Sequence, residues 1–473
     1  MAITSVLPGP SATRPAPWRA LPVLLTGAFL PVLDAFIVNV ALPSIGRDLH
    51  AGPAELELTV SGYGVAYACT LVAGGRLGDR FGRRRLFMIG MLAFTLMSTG
   101  CGLAPSTAAL IGFRVAQGLA AALMFPQVLA AIQANFTGGD RQRALGVFGA
   151  VIGAAGAVGQ VFGGWLLSAD VAGLGWRPLF LVNAPVGIVA LLVCRRLVPE
   201  TRSPAASRVD VWGSFSLAVA IALVLLPVTL GRASGWPLWT WLCLAAAAPV
   251  GAGFFVSQSR AERSGGTPLL PPSLLRLPAA RRALVSITLF AMCIGGFLFT
   301  TAITLQVGHG FTPVEAGLTM APCTLAFLGV AVFNGRLVAR YGIRLLVAGA
   351  LAFALGLAGY GAVVALSPQV TVLGAALPLA VAGLGWAALL VPLIGLVLAS
   401  LPADRAGLAG GVLSTAMQIG LALGASALGS VLFAIVGEAG DSGQWRVATL
   451  TGVAVECGLA LVVAAVVGRL RAE

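Results

Sequence analysis

Fourteen runs of roughly 20 mostly apolar residues follow one another along this chain, near positions 20–43, 57–75, 87–104, 107–133, 145–168, 178–198, 211–231, 237–257, 284–307, 314–334, 344–366, 371–398, 407–436 and 448–468. Such a run spans the about 30 Å hydrocarbon core of a bilayer, where a backbone has no water to bond and satisfies its own N–H and C=O groups as a helix. The expectation is an all-α integral membrane protein of 14 transmembrane helices with short loops. Of its 473 residues, 58% are hydrophobic and 10% charged, which excludes a soluble globular fold. The first run is too long for a signal-peptide core and no small-residue cleavage site follows it, so it is expected to stay as a span. The proline-rich stretch before Trp18 reads as a disordered tail.

All 29 basic residues are arginine. Without lysine there is no phosphate-loop lysine and no Schiff base, so transport work done by this chain alone points to an ion gradient. The seven cysteines stand singly in apolar segments, and the two histidines, His50 and His309, lie far apart. No metal site, cofactor or catalytic residue is expected, and an enzyme embedded in the membrane is disfavoured by the absence of any catalytic cluster. The net charge of +13 would suggest nucleic acid in a soluble protein. The loops decide otherwise: with the alternation started inside, 24 arginines fall on one side and four (Arg47, Arg177, Arg232, Arg446) on the other, while Arg114 lies within a span. By the positive-inside rule both termini are cytoplasmic and the protein is a multi-pass component of the cytoplasmic membrane.

Two segments repeat at an offset of 260 residues: Gly75-Arg76-Leu77-x-x-Arg80-x-Gly82-x-Arg84 and Gly335-Arg336-Leu337-x-x-Arg340-x-Gly342-x-Arg344. The copies follow the second and tenth runs, so the halves are eight helices apart. The simplest architecture is a tail and six-helix bundle over 1–199, an inserted helix pair with flanking loops over 200–275, and a second six-helix bundle over 276–473. Parallel repeats of this kind mark secondary transporters in which one half rocks against the other. Glycines at spacings of three and four along the fifth run, from Gly146 to Gly164, allow close helix packing.

On these motifs the chain resembles the major facilitator superfamily, and within it the fourteen-helix drug:proton antiporter branch. The superfamily's loop signature is the segment Gly75–Arg85. Branch signals are Leu33-Asp34-x-x-Ile37-Val38-Asn39-Val40-Ala41-Leu42-Pro43 and Trp176-Arg177-x-x-Phe180-Leu181-Val182-Asn183-x-Pro185-x-Gly187. Arg114-x-x-Gln117-Gly118 is similar to the proton-coupling motif of helix four. In helix five Gly159, Gly163 and Gly164 match the antiporter pattern, whereas Ala155 and Gln160 stand where the pattern has Gly and Pro. The resemblance implies a cytoplasmic gate built on Gly75, Asp79, Arg80, Gly82, Arg83 and Arg84, and a monomer.

An acid or a guanidinium inside an apolar span is costly unless it is paired or functional. Asp34 is the expected proton site and Arg114 its partner, since contact with arginine favours the carboxylate and separation from it favours the acid. Asp79 is expected to act as a clamp, with Arg141 and Arg143 as partners. Glu456, central in the last run, has no evident partner, and a second proton site, a helix contact and a lipid-facing acid all remain open for it. Glu315 reads as a helix cap. Phe36, Asn39, Gln117, Gln306, Trp386 and Gln418 are the candidates for a substrate cavity. The function expected is proton-coupled efflux of small hydrophobic drugs or antibiotics. The alternative is a lipid or narrow-substrate carrier, or an importer, on the same fold.

Overall fold

The computed structural model describes residues 17–202, 210–231, 235–264, 268–269, 272–367, 369–399, 406–437 and 441–469; the expected N-terminal tail lies outside them. Among the described residues every regular element is helical. The long helices are α1 (Pro17–Leu49), α2 (Pro53–Phe81), α3 (Arg83–Gly102), α4 (Thr107–Asn135), α5 (Gly138–Ser168), α6 (Pro178–Leu197, interrupted at Val182), α7 (Val211–Leu230) and α8 (Leu238–Arg263). They continue as α9 (Pro278–Ile303, extended by a π-helical turn Thr304–Gly308), α10 (Pro313–Tyr341), α11 (Ile343–Leu366), α12 (Val372–Ala399), α13 (Ala406–Val436) and α14 (Ser442–Gly468). Thirteen are long and apolar enough to span a bilayer; α7 carries a shorter apolar stretch, Trp212–Val228. Two short helices, Val171–Gly173 and Pro272–Arg276, were not anticipated from the sequence.

Local chemistry sets the helix starts. Proline occupies the first turn of α2, α6, α9 and α10, where its missing N–H would have no partner. Glu315 caps α10 as expected, its carboxylate accepting from the Thr312 backbone N–H at 2.8 Å while Thr312 Oγ1 accepts from the Glu315 N–H at 3.2 Å. Gly82 and Gly342 stand at φ +107° and +52° in the α2–α3 and α10–α11 turns. Both repeated motifs therefore keep a glycine where a side chain would be strained.

Helix packing repeats between the halves. In the first, α2 packs on α4, α1 on α5, α3 on α4 and α6; in the second, α10 packs on α12, α9 on α13, α11 on α12 and α14. This is two six-helix bundles, with the pair α7–α8 joined to them chiefly through α7, which lies against α2 and α13. Between the bundles α5 meets α10 and α12, and α13 meets α2 and α4. The glycines of α5 divide this work: Gly149 and Gly153 receive Val391 and Phe327 of the second half, whereas Gly156, Gly159 and Gly163 receive Phe36, Leu33 and Ile37 of α1. Gly164 is buried, and its carbonyl accepts from Ser168 Oγ at 2.8 Å.

Gly420 and Gly424 of α13 lie directly against the Thr288 and Met292 carbonyls of α9, leaving no room for a methyl group. Gly424→Ala should destabilise the fold by about 1–3 kcal/mol through overpacking. Thermal unfolding in detergent should show its midpoint falling, while Gly458→Ala, with nothing within 4 Å of the added carbon, leaves the midpoint unchanged.

Candidate functional site

The first half is organised around Asp34 of α1 and Arg114 of α4, both fully buried. Arg114 Nη1 donates to Asp34 Oδ2 in a direct ion pair. The other carboxylate oxygen, Oδ1, accepts from Gln117 Nε2 at 2.9 Å and from Asn183 Nδ2 of α6 at 3.0 Å. Arg114 also donates through Nη1 to Gln117 Oε1 at 2.9 Å and through Nε to the Thr59 carbonyl of α2 at 3.0 Å. Its guanidinium lies over the Tyr63 ring, 4.2 Å from the centroid, a cation–π contact. Asn183 Nδ2 reaches on to Ser98 Oγ of α3 at 2.9 Å, and Ser98 Oγ donates to the Phe180 carbonyl at 2.9 Å. Helices α4 and α6 bond the carboxylate directly, and Arg114 and Asn183 extend the network to α2 and α3.

Among the described residues, every group that hydrogen-bonds the Asp34 carboxylate is a donor. Such a shell suits an ionised carboxylate, which only accepts hydrogen bonds. Two polar atoms of the cluster, Arg114 Nη2 and Asn183 Oδ1, are buried without a hydrogen-bond partner in this arrangement. They are the groups best placed to gain from rearrangement. The sequence pointed to Asp34 and Arg114 but not to Asn183, Ser98, Thr59 or Tyr63 as members of the site. Asn183 was visible within the Trp176–Gly187 motif, whereas the Thr59 contribution is a backbone carbonyl and carries no sequence signal.

Gln117, expected in the substrate cavity, belongs to this closed network. The other cavity candidates divide. Phe36 packs on Gly156 and Gly159. Trp386 stacks edge-on with Phe327 and Phe297, at 5.2 and 6.4 Å between centroids, and its indole N–H is buried without a partner. Because Phe327 rests against Gly153, the Trp386 cluster meets α5 at the seam between the halves, and Phe36 meets the same helix about one turn further on. A second aromatic file, Tyr63–Tyr67–Phe125–Phe148, runs from the ion pair towards α5 with centroids 5.8 to 6.0 Å apart. Asn39 is exposed and bonds its own helix at Ala35, 3.3 Å away. Gln306, in the π-helical turn, does the same at Ala302, also 3.3 Å away. Gln418 is half-buried on α13.

At the arginine-rich end, Asp79 pairs with Arg83 (Nη2 2.8 Å, Nε 3.3 Å). This corrects the expected partners: Arg141 donates to the Phe136 carbonyl at 3.0 Å and Arg143 pairs with Asp140 at 3.4 Å. The reason is geometric, since the turn at Gly82 places Arg83 one helical turn beyond Asp79. Arg83 Nη1 also donates to the Ala130 carbonyl of α4 at 3.2 Å, so this pair ties α2, α3 and α4 within one half. Glu200 closes the start of α3, accepting from the Arg84 and Arg85 backbone N–H groups at 3.1 and 3.2 Å, with Arg84 Nε 3.8 Å away. Gly75 is buried in α2, and exposed Arg80 lies over Phe81. Arg76 donates to the Pro268 and Leu269 carbonyls, fastening the segment after α8 to α2. At the opposite end Asp48 accepts from Arg177 at 2.7 Å and Trp176 Nε1 at 3.0 Å, joining α1 to the entry of α6. Chiefly the Arg177 bond holds the Asp48 carboxyl below its usual range.

The sequence profile of the Major Facilitator Superfamily matches residues 24–425. A probable actinorhodin transporter of Streptomyces coelicolor is 34% identical over 448 residues, covering 91% of this chain and 76% of its own. The tetracenomycin C resistance and export protein of Streptomyces glaucescens is 35% identical over 462 residues, covering 97% and 84%. The puromycin resistance protein of Streptomyces alboniger is 35% identical over 453 residues, covering 94% and 87%. Among solved structures, the human organic anion transporter MFSD10 superposes with a TM-score of 0.67 at 18% identity, covering 96% of this chain and all of that one. The proton:xylose symporter XylE gives 0.66 at 17%, covering 95% and 94%. At such identity the likeness is one of fold.

Removing one member of a buried ion pair leaves the other charge uncompensated, at a cost of about 3–5 kcal/mol. Asp34→Asn and Arg114→Gln should each lower the thermal midpoint in detergent, and the double variant should recover part of the loss. Additive losses in the double-mutant cycle would mean that the two side chains do not stabilise one another.

Proposed function

The chain belongs to the major facilitator superfamily, and on that premise we propose that it exports small hydrophobic drugs or antibiotics by alternating access, in exchange for protons. The relatives described above carry names of antibiotic transport, export and resistance, which supports the substrate class. The arginine asymmetry of the loops supports a cytoplasmic-membrane location with both termini inside. The moving bodies are 1–199 and 276–473, with the pair within 200–275 riding between them, and a monomer suffices.

The observation that carries the proton coupling is the all-donor shell of Asp34. With the carboxylate ionised, Asp34 holds α1 to α4 and α6, and Arg114 and Asn183 carry the hold on to α2 and α3. A proton arriving from outside neutralises Asp34, which removes the counter-charge of Arg114 and weakens the bonds that Gln117 and Asn183 donate to it. Phe36, on the same helix two residues further on, packs on α5, whose other glycines receive the second half. A shift of α1 is therefore transmitted to the seam where Phe36, Phe327 and Trp386 face a flat apolar ligand, with the Trp386 N–H available for an acceptor atom on it. Proton release inside restores the ion pair and resets the cycle. The driving force is adequate: one pH unit supplies about 1.4 kcal/mol per proton, and a membrane potential of 100 mV supplies about 2.3 kcal/mol per charge. Together these support a several-hundredfold gradient of a neutral substrate.

In proteoliposomes with an imposed pH gradient, hydrophobic antibiotics and dyes should trigger proton flux opposite to their own movement. Asp34→Asn should abolish that flux with insertion intact, and Arg114→Ala should be comparably severe. Gradient-driven transport persisting at the wild-type rate in Asp34→Asn would remove Asp34 from the role. Substrate movement without proton flux in the wild type would favour the carrier reading over the antiporter.

A further inference from the structure

Besides Asp79, which is paired with Arg83, the mechanism above leaves a buried acid unused among the described residues. Glu456 sits in the middle of α14 and is 1% exposed, turned inward onto α9. Its Oε1 accepts from Thr300 Oγ1 at 2.9 Å, and its backbone carbonyl accepts from Cys293 Sγ at 3.3 Å. Helices α9, α11 and α13 and the π-helical turn pack against α14. The titratable groups on them are few. On α9 they are Cys293, with Arg281 and Arg282 near the start of that helix; on α11 they are Tyr360, and Arg344 at the start. Helix α13 and the π-helical turn carry none, and α14 itself adds Cys457 and Arg446. Arg446 is ten residues from Glu456, about 15 Å along the helix axis. Among the described residues the acid thus faces hydroxyls and thiols and no cation.

Asp34 and Glu456 are complementary in this respect. The first is surrounded by donors and an arginine, a setting for a carboxylate. The second has one hydroxyl partner and no counter-charge, and an isolated buried carboxylate is far more costly than its neutral acid. The two acids also have related settings in the helix order: α6 and α14 are the last helices of their bundles, and each has a Trp-Arg step at its start, Trp176-Arg177 and Trp445-Arg446. From α6, Asn183 reaches Asp34 on the first helix of its bundle; from α14, Glu456 reaches Thr300 on the first helix of the other. Just beyond Thr300, α9 widens into the π-helical turn Thr304–Gly308, a distortion frequent at functional positions. There Thr304 Oγ1 and Tyr360 OH are 3.4 Å apart, adding hydroxyls able to pass a proton. One turn before Thr300, Phe297 stacks on Trp386 at the seam, so a ligand there bears on α9.

We propose that Glu456 is a second proton-binding site, in the C-terminal bundle, loading and releasing a proton as α9 moves against α14 during the cycle. This rests on the proton-driven reading above and deepens it: each substrate molecule exported is exchanged for a proton carried at Asp34 and another at Glu456. A static acid that only bonds Thr300 would keep its proton throughout and leave the exchange ratio unaltered.

The first arm of the test needs no substrate. Infrared difference spectra of the purified full-length protein in lipid, between mildly acidic and mildly alkaline buffer, should contain a protonated-carboxyl band that is lost on alkalinisation. The band should be absent from Glu456→Gln and retained in Asp34→Asn. A Glu456→Gln difference spectrum identical to the wild type overturns the proposal. Should the glutamine variant fail to insert, Glu456→Asp, which keeps the carboxyl, should shift the band, and an unshifted band has the same consequence. The second arm uses proteoliposomes with puromycin as the probe and a pH dye inside. Glu456→Gln should still export puromycin but with about one proton fewer per molecule, and an unchanged ratio overturns the proposal. A wild type that moves puromycin without protons would instead refute the antiport reading, whatever the infrared result.

Discussion

A guanidinium buried at the centre of an apolar bundle obliges its neighbours to supply a counter-charge and acceptors, and much of the first half follows from meeting that demand. Arg114 takes Asp34 from α1, a carbonyl from α2, the amide of Gln117 from its own helix and a ring face from Tyr63. Asp34 in turn draws in Asn183, and through it Ser98 on α3. In a low-dielectric interior each of these bonds is strong, and each missing one is expensive, so the cluster defines one arrangement of five helices sharply. The same property makes it a switch, because a single proton changes the sign of what the shell must provide.

The seam between the bundles is built on a different principle. It has no ion pair among the described residues and relies on small residues that admit large ones: Val391 and Phe327 enter against Gly149 and Gly153 of α5. Surfaces of this kind slide or part without stranding a charge, as two bundles that rock require. Helix α5 links the two regimes, carrying the seam on one stretch of glycines and α1 on the next. Charge is concentrated at the membrane ends, where Asp79–Arg83, Glu200 at the start of α3 and Asp48–Arg177 tie helices within one half.

The two bundles share their helix pairing and their motif turns but not their buried chemistry. In the second copy of the loop motif Ala339 replaces the acid, leaving Arg336, Arg340 and Arg344 exposed. Among the described residues the second bundle has no buried arginine, and its one buried acid rests on a threonine. Repetition preserved the backbone-level solution, in which glycines permit close approach and sharp turns. The charged groups diverged because a buried charge is tolerated only where every partner is present.

The apolar runs, the arginine bias and the offset repeat determined by themselves that this is a membrane protein of two six-helix bundles with an inserted pair. Those signals are local or periodic, set by backbone hydrogen bonding and by the cost of charge in hydrocarbon, and need no knowledge of which helix touches which. The same cost singled out Asp34, Arg114 and Glu456 as residues that must have a reason to be where they are. Their partners were another matter. Asn183 meets Asp34 across 149 positions, and Thr300 meets Glu456 across 156, and Thr59 takes part through a carbonyl that any residue would supply. Asp79 likewise took Arg83 from the turn beside it, and Gln117 joined the ion pair and not the cavity. Such choices depend on helix rotation and on which glycine faces which ring, and only the packed tertiary structure brings those distances down to hydrogen-bond length.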